Sequence, residues 1–340
     1  MATRKLTYLA GGEDGSIRVK TAVRAVGGLE VVVRITHCGV CGTDGHDRTA
    51  GCGLGHEGIG IVEEIGKEVT AIKVGQRVGC SWQTSSCGHC RECFTGYRQY
   101  CPESLGQKYG DLEQGAFGDY VVRHQDFVYP IPDEIESKYA GPLICAGITV
   151  FEALMVAETK STDRVGIVGL GGLGHLAVMY ARAMGCDVVV LSSREDKRAD
   201  AMKLGATEFS VLRPQEQSST ESSANINVLL LCGGSMSDLS CLIPLLARRA
   251  RIIPLVIQGE PLVIPYMPFL LPGHRIIAST AATKENHAGA LLFAARHNIK
   301  PWIEEFPMSV EGLTKALEKL QNGSIFYRAV LSTEVGTELK

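Results

Sequence analysis

The stretch 40–57 concentrates side chains that can do chemistry within a short, glycine-rich segment. Those side chains are Cys41, Thr43, Asp44, His46, His56 and Glu57. A thiolate, an imidazole and a carboxylate could together hold a metal ion that keeps one coordination position for a reactant. They could equally belong to a polar loop, so the other motifs of the chain must discriminate between these two interpretations.

A second group of chemically active residues forms the motif C-x2-C-x2-C-x7-C. Its members are Cys87, Cys90, Cys93 and Cys101. Two-residue spacers allow a tight loop to turn successive sulfurs inward, so the four thiolates can converge on one tetrahedral zinc. Because four sulfurs fill the coordination shell, we expect this zinc to be structural, and His89 not to be a ligand.

Three other interpretations of this motif are less favourable. Regular spacing argues against four unrelated thiols. An iron–sulfur cluster also uses four cysteines, but the bacterial ferredoxin motif has a different spacing. A zinc-ribbon module for nucleic acid would need basic or aromatic residues around the loop, and Arg91 and Arg98 are too few.

A glycine-rich turn lies in the middle of the chain. The run Val165–Val168 predicts a strand, and His175–Met184 and Asp187–Leu191 predict a helix and a second strand. Between the first strand and the helix stand Gly169, Leu170, Gly171, Gly172, Leu173 and Gly174. A G-x-G-x-x-G turn alone is a weak signal, but in this strand–turn–helix–strand context it predicts a dinucleotide site, with the pyrophosphate at the helix N-terminus.

The residues after the second strand indicate which dinucleotide binds. They are Ser192, Ser193, Arg194 and, further on, Lys197. NAD enzymes usually place an acidic residue here for the ribose 2′-OH, whereas small hydroxyls leave room for a 2′-phosphate that Arg194 can bind bidentately. We therefore expect NADP(H) in preference to NAD(H), and interpret Glu195 and Asp196 as the exposed first turn of a helix.

Length and composition restrict the function classes. A chain of 340 residues predicts two domains. A formal net charge of −3 without a basic cluster argues against nucleic-acid binding. No signal peptide and no run of about 18 apolar residues is recognisable. We therefore expect a cytoplasmic protein without a membrane contact, whose 12 cysteines are reduced ligands and buried thiols.

The remaining patterns predict the elements that must position these residues. Short β-branched runs between glycine turns, such as Leu29–Ile35, predict a small β-rich first domain. Alternating strands and helices later in the chain predict a parallel sheet. The predicted elements beyond the glycine turn are the strands Asn227–Cys232, Arg251–Ile257, Arg275–Ala278 and Phe326–Leu331, and the helices Asp238–Arg249, Lys284–His297 and Leu313–Leu320.

An apolar helix is also predicted from Gly141 to about Glu158. In isolation, Cys145 near its start is interpreted as an ordinary core thiol.

Taken together, the four-cysteine lobe, the NADP-type turn and the motif C-G-T-D-G-H…G-H-E resemble the zinc-dependent medium-chain alcohol dehydrogenases. The sequence P-L-x-C-A-G-I-T-V around Cys145 and the Ser-Ser-Arg turn are similar to the cinnamyl alcohol dehydrogenase branch. The resemblance covers nearly the whole chain. It implies a GroES-like β-rich catalytic domain and a Rossmann doubly wound cofactor domain.

The resemblance also implies the domain limits and the assembly. The catalytic domain would comprise residues 1–147, with the zinc lobe at about 84–104, and residues 284–340 after the chain returns. The NADP-binding domain would comprise residues 148–283. A homodimer joined through the sheets of the cofactor domains is expected from the family.

Carried over residue by residue, the family pattern assigns the catalytic zinc to Cys41, His56 and Cys145, with Glu57 as a candidate fourth ligand. This ligand set is established for alcohol dehydrogenases. It changes the interpretation of Cys145 from a core thiol to a ligand. Asp44 would orient His56.

The same pattern assigns a proton relay and cofactor contacts. Thr43 would take the proton of the alcohol and pass it through the nicotinamide ribose hydroxyl to His46 and water. Thr149 would lie near the nicotinamide and Arg328 near the pyrophosphate. Trp82 matches an aromatic residue of the substrate pocket, although an ordinary core tryptophan is an equal alternative.

The activity implied is hydride transfer between NADP(H) and a zinc-bound alcohol or carbonyl of a small molecule. Two rival functions stay open. A relative that reduces C=N or C=C bonds would tend to lack the proton relay or a zinc ligand, and this chain keeps both. A non-catalytic protein that binds NADPH and zinc would hold a single inert zinc.

Two departures from the family pattern stand out. Only fourteen residues, 42–55, separate Cys41 from His56, so we expect a substrate pocket that is more open or differently lined. Gly42 stands where relatives often carry a basic or histidine side chain on the pyrophosphate. We therefore expect one cofactor contact to be missing.

Overall fold

The computed structural model describes residues 2–212, 225–234 and 238–335. The chain divides into two compact units. The first unit comprises Met1–Cys145 with Thr283–Lys340, and the second comprises Ala146–Ala282.

The described strands, β1 to β17 in chain order, are Thr3–Gly11, Ile17–Ala25, Glu30–Val40, Gly58–Ile65, Arg77–Cys80, Gln83–Ser85, Leu105–Gly106, Tyr120–His124, Val128–Pro130, Arg164–Val168, Asp187–Ser192, Glu208–Val211, Ile226–Leu231, Leu246–Pro254, Arg275–Ile276, Ile303–Pro307 and Arg328–Ser332. The described α-helices, α1 to α9, are Gly42–Asp47, Arg91–Phe94, Ser137–Pro142, Ile148–Val156, Gly174–Ala183, Arg198–Leu204, Tyr266–Leu270, Lys284–Arg296 and Val310–Gln321.

The first unit is built around a seven-stranded sheet in the order β16-β17-β3-β4-β5-β9, with β8 also paired to β3. Strand β3 is the centre because it pairs with β8 near its start, with β4 along most of its length and with β17 at its end. Its alternating apolar side chains, including Val31, Val33 and Ile35, enter the main core cluster. The end of β3, immediately before Cys41, is therefore held on both sides.

The second unit is a six-stranded sheet in the order β12-β11-β10-β13-β14-β15, and each neighbouring pair is parallel. Strand β10 carries the run Arg-Val-Gly-Ile-Val, buried from its second residue onward as expected for a sheet covered on both faces. The glycine turn follows β10 directly and opens α5. The predicted fold class, a β-rich domain with a parallel-sheet cofactor domain, is confirmed.

The helix predicted over Asp238–Arg249 is wrong. Asp238 lies in an isolated bridge with Val263, Ile243–Leu245 is a single 3-10 turn, and β14 begins at Leu246. Leu239, Leu242 and Ile243 have the spacing of a helix face and are buried in the core of the second unit. Pro244 explains the error, because a proline inside a helix removes a hydrogen bond and clashes with the preceding turn.

The apolar run predicted as one helix from Gly141 is three segments: α3, a π-helical turn Leu143–Gly147, and α4. Ser137–Val156 is long and apolar enough to cross a membrane by length and composition only. However, 72% of its most apolar 18-residue window is buried inside the protein, as in a core helix of a folded domain. The boundary between the two units falls inside this run.

Candidate active site and metal centres

Cys41 is positioned by the end of β3 and the start of α1. Its backbone N–H donates to Asp44 Oδ2 at 3.0 Å, so the carboxylate at the third helical position fixes the residue before the helix. Gly39, two residues earlier, has no room for a side chain, because an added Cβ would lie 1.8 Å from Glu57 Oε2. The strand therefore brings Cys41 close to Glu57.

His56 is oriented by the second oxygen of the same carboxylate. Asp44 is fully buried, and its Oδ1 lies 3.2 Å from His56 Nδ1. The preceding Gly55 donates its backbone N–H to the same oxygen at 3.0 Å. Gly55 has φ +94, and an added Cβ would lie 2.4 Å from Phe117 N, so this close approach requires glycine. Because Nδ1 of His56 is hydrogen-bonded to Asp44, Nε2 of the same ring points toward the other candidate ligands.

Cys145 reaches the cluster from the π-helical turn. Its Sγ lies 3.5 Å from His56 Nε2, although 89 positions separate the two residues. Gly141, one turn earlier, packs closely on β3, since an added Cβ would lie 2.9 Å from Gly39 N. Single π-helical turns within helices often occur at functional sites, because the extra residue redirects a side chain.

Protonation in this cluster is strongly perturbed. The hydrogen bond from Cys145 and the neighbouring His56 hold the pKa of the Cys41 thiol well below its usual range. The same bond with Cys41, together with burial, raises the pKa of Cys145. Burial opposes a charged imidazole, but the adjacent Asp44 carboxylate raises the pKa of His56 well above its usual value. The described geometry thus gathers two sulfurs and an imidazole close enough to shift one another's pKa.

These residues fit a zinc ion. Ligand atoms of Cys41, His56, Glu57 and Cys145 all lie within 4.8 Å of one another. Zinc with Zn–S near 2.3 Å and Zn–N near 2.0–2.1 Å would separate tetrahedral sulfur and nitrogen ligands by about 3.5 Å. That separation equals the 3.5 Å between Cys145 Sγ and His56 Nε2. Metal binding would release protons from these ligands, as at other thiolate sites.

Glu57 and Arg328 form a buried pair next to this cluster. Arg328 Nη2 donates to Glu57 Oε1, and the two residues are 6% and 0% exposed. Glu57 Oε1 also lies 4.0 Å from His56 Nε2, while Oε2 is buried without a hydrogen-bond partner among the described residues. The structure therefore places Arg328 on Glu57, and its predicted contact with the pyrophosphate stays a prediction.

The two predicted relay residues lie three positions apart on α1. Thr43 is half-buried, and its Oγ1 lies 3.7 Å from Cys41 Sγ. His46 is exposed on the last turn of the helix. Residues three apart in a helix are surface neighbours, so this pair leads from the cluster toward solvent.

The second cysteine motif forms a separate cluster. Ligand atoms of Cys87, Cys90, Cys93 and Cys101 all lie within 4.8 Å of one another. Backbone N–H groups support the sulfurs, including Cys90 N to Cys87 Sγ at 3.3 Å and Cys87 N to Cys101 Sγ at 3.4 Å. The arrangement fits the four-thiolate site predicted from the spacing. His89 is exposed and its Nδ1 lies 2.8 Å from Cys87 O.

The glycine turn has the shape required for a dinucleotide. Gly169 has φ +87, and an added Cβ at Gly174 would lie 1.9 Å from Gly169 O, so α5 packs against the turn only with glycine there. At Gly171 an added Cβ would meet nothing within 4 Å, so its backbone faces open space. No side chain caps the start of α5 at Leu173, which leaves helix N–H groups for an anion. Thr149, the predicted nicotinamide contact, is half-buried on α4.

The residues predicted to select NADP(H) begin with the last residue of β11 and continue after it. Ser192 is buried, and its hydroxyl accepts the backbone N–H of Arg194 at 3.1 Å. Ser193 and Arg194 are exposed, and Lys197 is half-buried in a 3-10 turn. The Arg194 guanidinium donates to both carboxylate oxygens of Asp196, with Nε to Oδ1 at 3.1 Å. A 2′-phosphate at this position would therefore compete with Asp196.

Trp82 lies beside a segment that sequence reasoning missed. It is half-buried, packs edge-on against Tyr109 at 6.3 Å, and its carbonyl accepts the N–H of Gln107 at 3.1 Å. Gln107 in turn reaches Asp44 Oδ1 with its Nε2 at 3.3 Å. No local motif marks Gln107, because 63 positions separate it from Asp44.

Comparison with known proteins identifies the family. The alcohol dehydrogenase GroES-like domain matches residues 27–133, and the zinc-binding dehydrogenase domain matches residues 172–296. Cinnamyl alcohol dehydrogenase 8 of Arabidopsis thaliana is 32% identical over 332 residues, which cover 93% of this chain and 91% of that protein. This chain belongs to the zinc-dependent medium-chain alcohol dehydrogenases.

Two further comparisons agree with this family, and the second supports a placement of this alcohol dehydrogenase near the cinnamyl alcohol dehydrogenase branch. The NADP-dependent alcohol dehydrogenase 6 of Saccharomyces cerevisiae is 32% identical over 317 residues, covering 89% of this chain and 88% of that protein. A cinnamyl alcohol dehydrogenase structure from Sorghum bicolor has a TM-score of 0.91 at 28% identity, covering 100% of this chain and 99% of that chain. The predicted family is confirmed, and the protein is an oxidoreductase of a family that binds zinc and NAD(P) and acts on small molecules.

Proposed function

We propose that the chain is a zinc-dependent, NADPH-preferring alcohol dehydrogenase or aldehyde reductase, working as a homodimer in the cytoplasm and holding two zinc ions per chain. The observation that carries the proposal is the convergence of Cys41, His56 and Cys145, with Asp44 on the far nitrogen of the imidazole. Three protein ligands are the number used by catalytic zinc sites, whereas the four-cysteine cluster has the closed shell of a structural site.

When bound, zinc acts as a Lewis acid on the oxygen of an alcohol or carbonyl, and NADP(H) supplies or accepts the hydride. The chain's own residues arrange the proton and the charge. Asp44 holds Nδ1 of His56, so Nε2 stays directed at the cluster. Thr43 presents a hydroxyl beside Cys41, and exposed His46 exchanges protons with water.

The preference for NADPH rests on Ser192, Ser193, Arg194 and Lys197, where an NAD enzyme would carry an acidic residue. The yeast relative, whose name describes it as NADP-dependent, supports this assignment. An exposed Arg194 can exchange its contact with Asp196 for a bidentate contact with a phosphate, because a surface ion pair contributes little on its own.

The test combines turnover with metal analysis. A panel of aldehydes and ketones, extended to an iminium and an enal, is reduced with NADPH and with NADH in parallel. We expect aldehyde reduction with NADPH to dominate. Atomic emission should count two zinc ions per chain, one of which a chelator removes together with turnover.

Four outcomes would contradict the proposal or one of its parts. A single inert zinc would favour a non-catalytic protein, and faster reduction of the iminium or enal would favour the C=N or C=C reductase. Equal kcat/KM with NADH and NADPH would remove the cofactor preference. Acceptance of small primary aldehydes alone would contradict the open pocket expected from the short 42–55 segment.

A further inference from the structure

Gln107 is a buried side chain without a role in the chemistry described above. It is 7% exposed, and its Nε2 lies 3.3 Å from Oδ1 of the fully buried Asp44. The other described donors to that oxygen are Gly55 N and His56 Nδ1. Among these three donors, Gln107 alone comes from outside the stretch 40–57.

The chemistry of the amide fixes which way Gln107 points. Asp44 Oδ1 already accepts the N–H of Gly55, so the NH2 group of Gln107 must face this oxygen. This orientation leaves Gln107 Oε1 buried and without a partner among the described residues. A buried acceptor without a partner is unfavourable, so the position is better explained by the donor that Asp44 receives than by packing alone.

Backbone hydrogen bonds fix the turn that carries Gln107. Gly106 and Tyr109 exchange two backbone hydrogen bonds, at 3.0 and 2.9 Å, in a tight turn. Gly106 is needed there, because an added Cβ would lie 2.5 Å from the Trp82 carbonyl oxygen. Lys108, with φ 67, donates from Nζ to Asp47 at 2.9 Å. The turn therefore contacts α1 at the carboxylates of Asp44 and Asp47.

We propose that Gln107 is a positioning residue for the metal centre, which acts through Asp44 to fix the orientation of His56. The inference rests on the proposed zinc site. The turn 106–109 supplies Asp44 with a hydrogen-bond donor from outside the 42–55 segment. A residue that holds the hydrogen-bond partner of a metal ligand can change the metal affinity without contacting the metal itself.

The experiment compares three variants of the zinc-loaded protein. Gln107→Met keeps the length and removes the donor, and Gln107→Glu keeps the shape but sets a second carboxylate against Asp44. Gln114→Met is the matched control, because it removes an equally buried amide whose Nε2 donates to a different carboxylate, Asp111, at 2.7 Å. Each variant is loaded with zinc or cobalt. Zinc release to a chelator, the visible spectrum of the cobalt form, kcat and KM for NADPH are measured.

We expect Gln107→Met to release the zinc of the Cys41 cluster about 10-fold faster than wild type, and Gln107→Glu faster still. The cobalt spectrum and kcat should change in both variants, whereas KM for NADPH and the zinc of the four-cysteine lobe should not. Gln114→Met should release zinc at the wild-type rate.

Wild-type release rates and an unchanged cobalt spectrum in both Gln107 variants would overturn the positioning role while leaving the proposed function intact. Changes of equal size in Gln114→Met would also overturn it, because they would show a general loss of stability. A wild-type protein without exchangeable zinc would overturn the proposed function, and this inference with it.

Discussion

Asp44 links the two parts of the metal centre at the scale of a single residue. Its Oδ2 holds the backbone of Cys41, and its Oδ1 holds His56, Gly55 and Gln107. A fully buried carboxylate must have such donors, since burying an unpaired charge is strongly unfavourable. The same hydrogen bonds therefore stabilise the loop and orient a ligand.

Replacing Asp44 by Asn should weaken zinc binding at the Cys41 cluster by roughly 10- to 100-fold, the usual effect of losing a ligand's hydrogen-bond partner. The Asn amide offers one accepting oxygen where the Asp carboxylate offers two. Either the N–H of Cys41 or Nδ1 of His56 therefore loses its acceptor. Zinc affinity is measured by competition with a chelator. Asp47→Asn is the control, because Asp47 lies on the same helix but pairs with Lys108. Wild-type affinity in Asp44→Asn would contradict the orienting role.

Gly42 should accept a cofactor-binding side chain. An added Cβ meets nothing within 4 Å, and the family resemblance implies a basic or histidine residue at this position. Gly42→His should therefore lower the Kd for NADPH about 5-fold, the equivalent of one hydrogen bond of roughly 1 kcal/mol. Fluorescence titration measures the Kd. Gly45→His is the control, because its surroundings are equally open, and it should leave the Kd for NADPH unchanged. If Gly42→His lowers neither the Kd nor the KM for NADPH, the expectation of a missing contact is refuted.

At the scale of elements, local motifs were predictable and long-range ones were not. The four-cysteine lobe and the glycine turn each lie within one short segment, so spacing alone indicates their chemistry. Cys145 lies 89 positions from His56, and only the family resemblance pointed to it as a ligand. The π-helical turn that carries Cys145 has no signal in the hydrophobic pattern. The predicted helix Asp238–Arg249 does not form because Pro244 interrupts it.

The contact between α8 and β9 makes stability depend on pH. His287 on α8 stacks on Tyr129 with ring centroids 4.1 Å apart. Burial and the nearby Arg98 lower the pKa of His287 to about 3. The unfolded chain takes up this proton near pH 6.5, so unfolding is favoured as the pH falls from 6.5 toward 3.

The expected loss attributable to His287 between pH 7 and pH 5 is about 2 kcal/mol of unfolding free energy. His287→Phe keeps an aromatic ring on Tyr129 and removes the titrating group. Urea unfolding at both pH values should therefore show a smaller loss in the variant, by about the same 2 kcal/mol. Equal losses in variant and wild type would show that His287 does not carry this dependence.

At the scale of the whole molecule, the first unit is assembled from two distant parts of the chain. Strands β16 and β17, from the returning part, continue the sheet next to β3, and Leu313, Ala316 and Leu317 of α9 complete its core. Arg328 at the start of β17 pairs with Glu57 across 271 positions. The site therefore depends on the return of the chain, because Arg328 on β17 supplies a buried positive partner to Glu57.

Arg328→Met should lower the free energy of unfolding by about 3–5 kcal/mol, since it leaves Glu57 buried without its partner. Arg328→Met combined with Glu57→Gln should recover a substantial part of that loss, because the buried charge of Glu57 is then removed together with its partner. Urea unfolding of the single and double variants measures both values. Lys319→Met is the control: it removes a charge from the same returning part of the chain, but its pair with Glu304 is partly exposed, so the cost should stay within about 1 kcal/mol. A loss for Arg328→Met no larger than for Lys319→Met would show that the Glu57 pair does not couple the two parts of the chain.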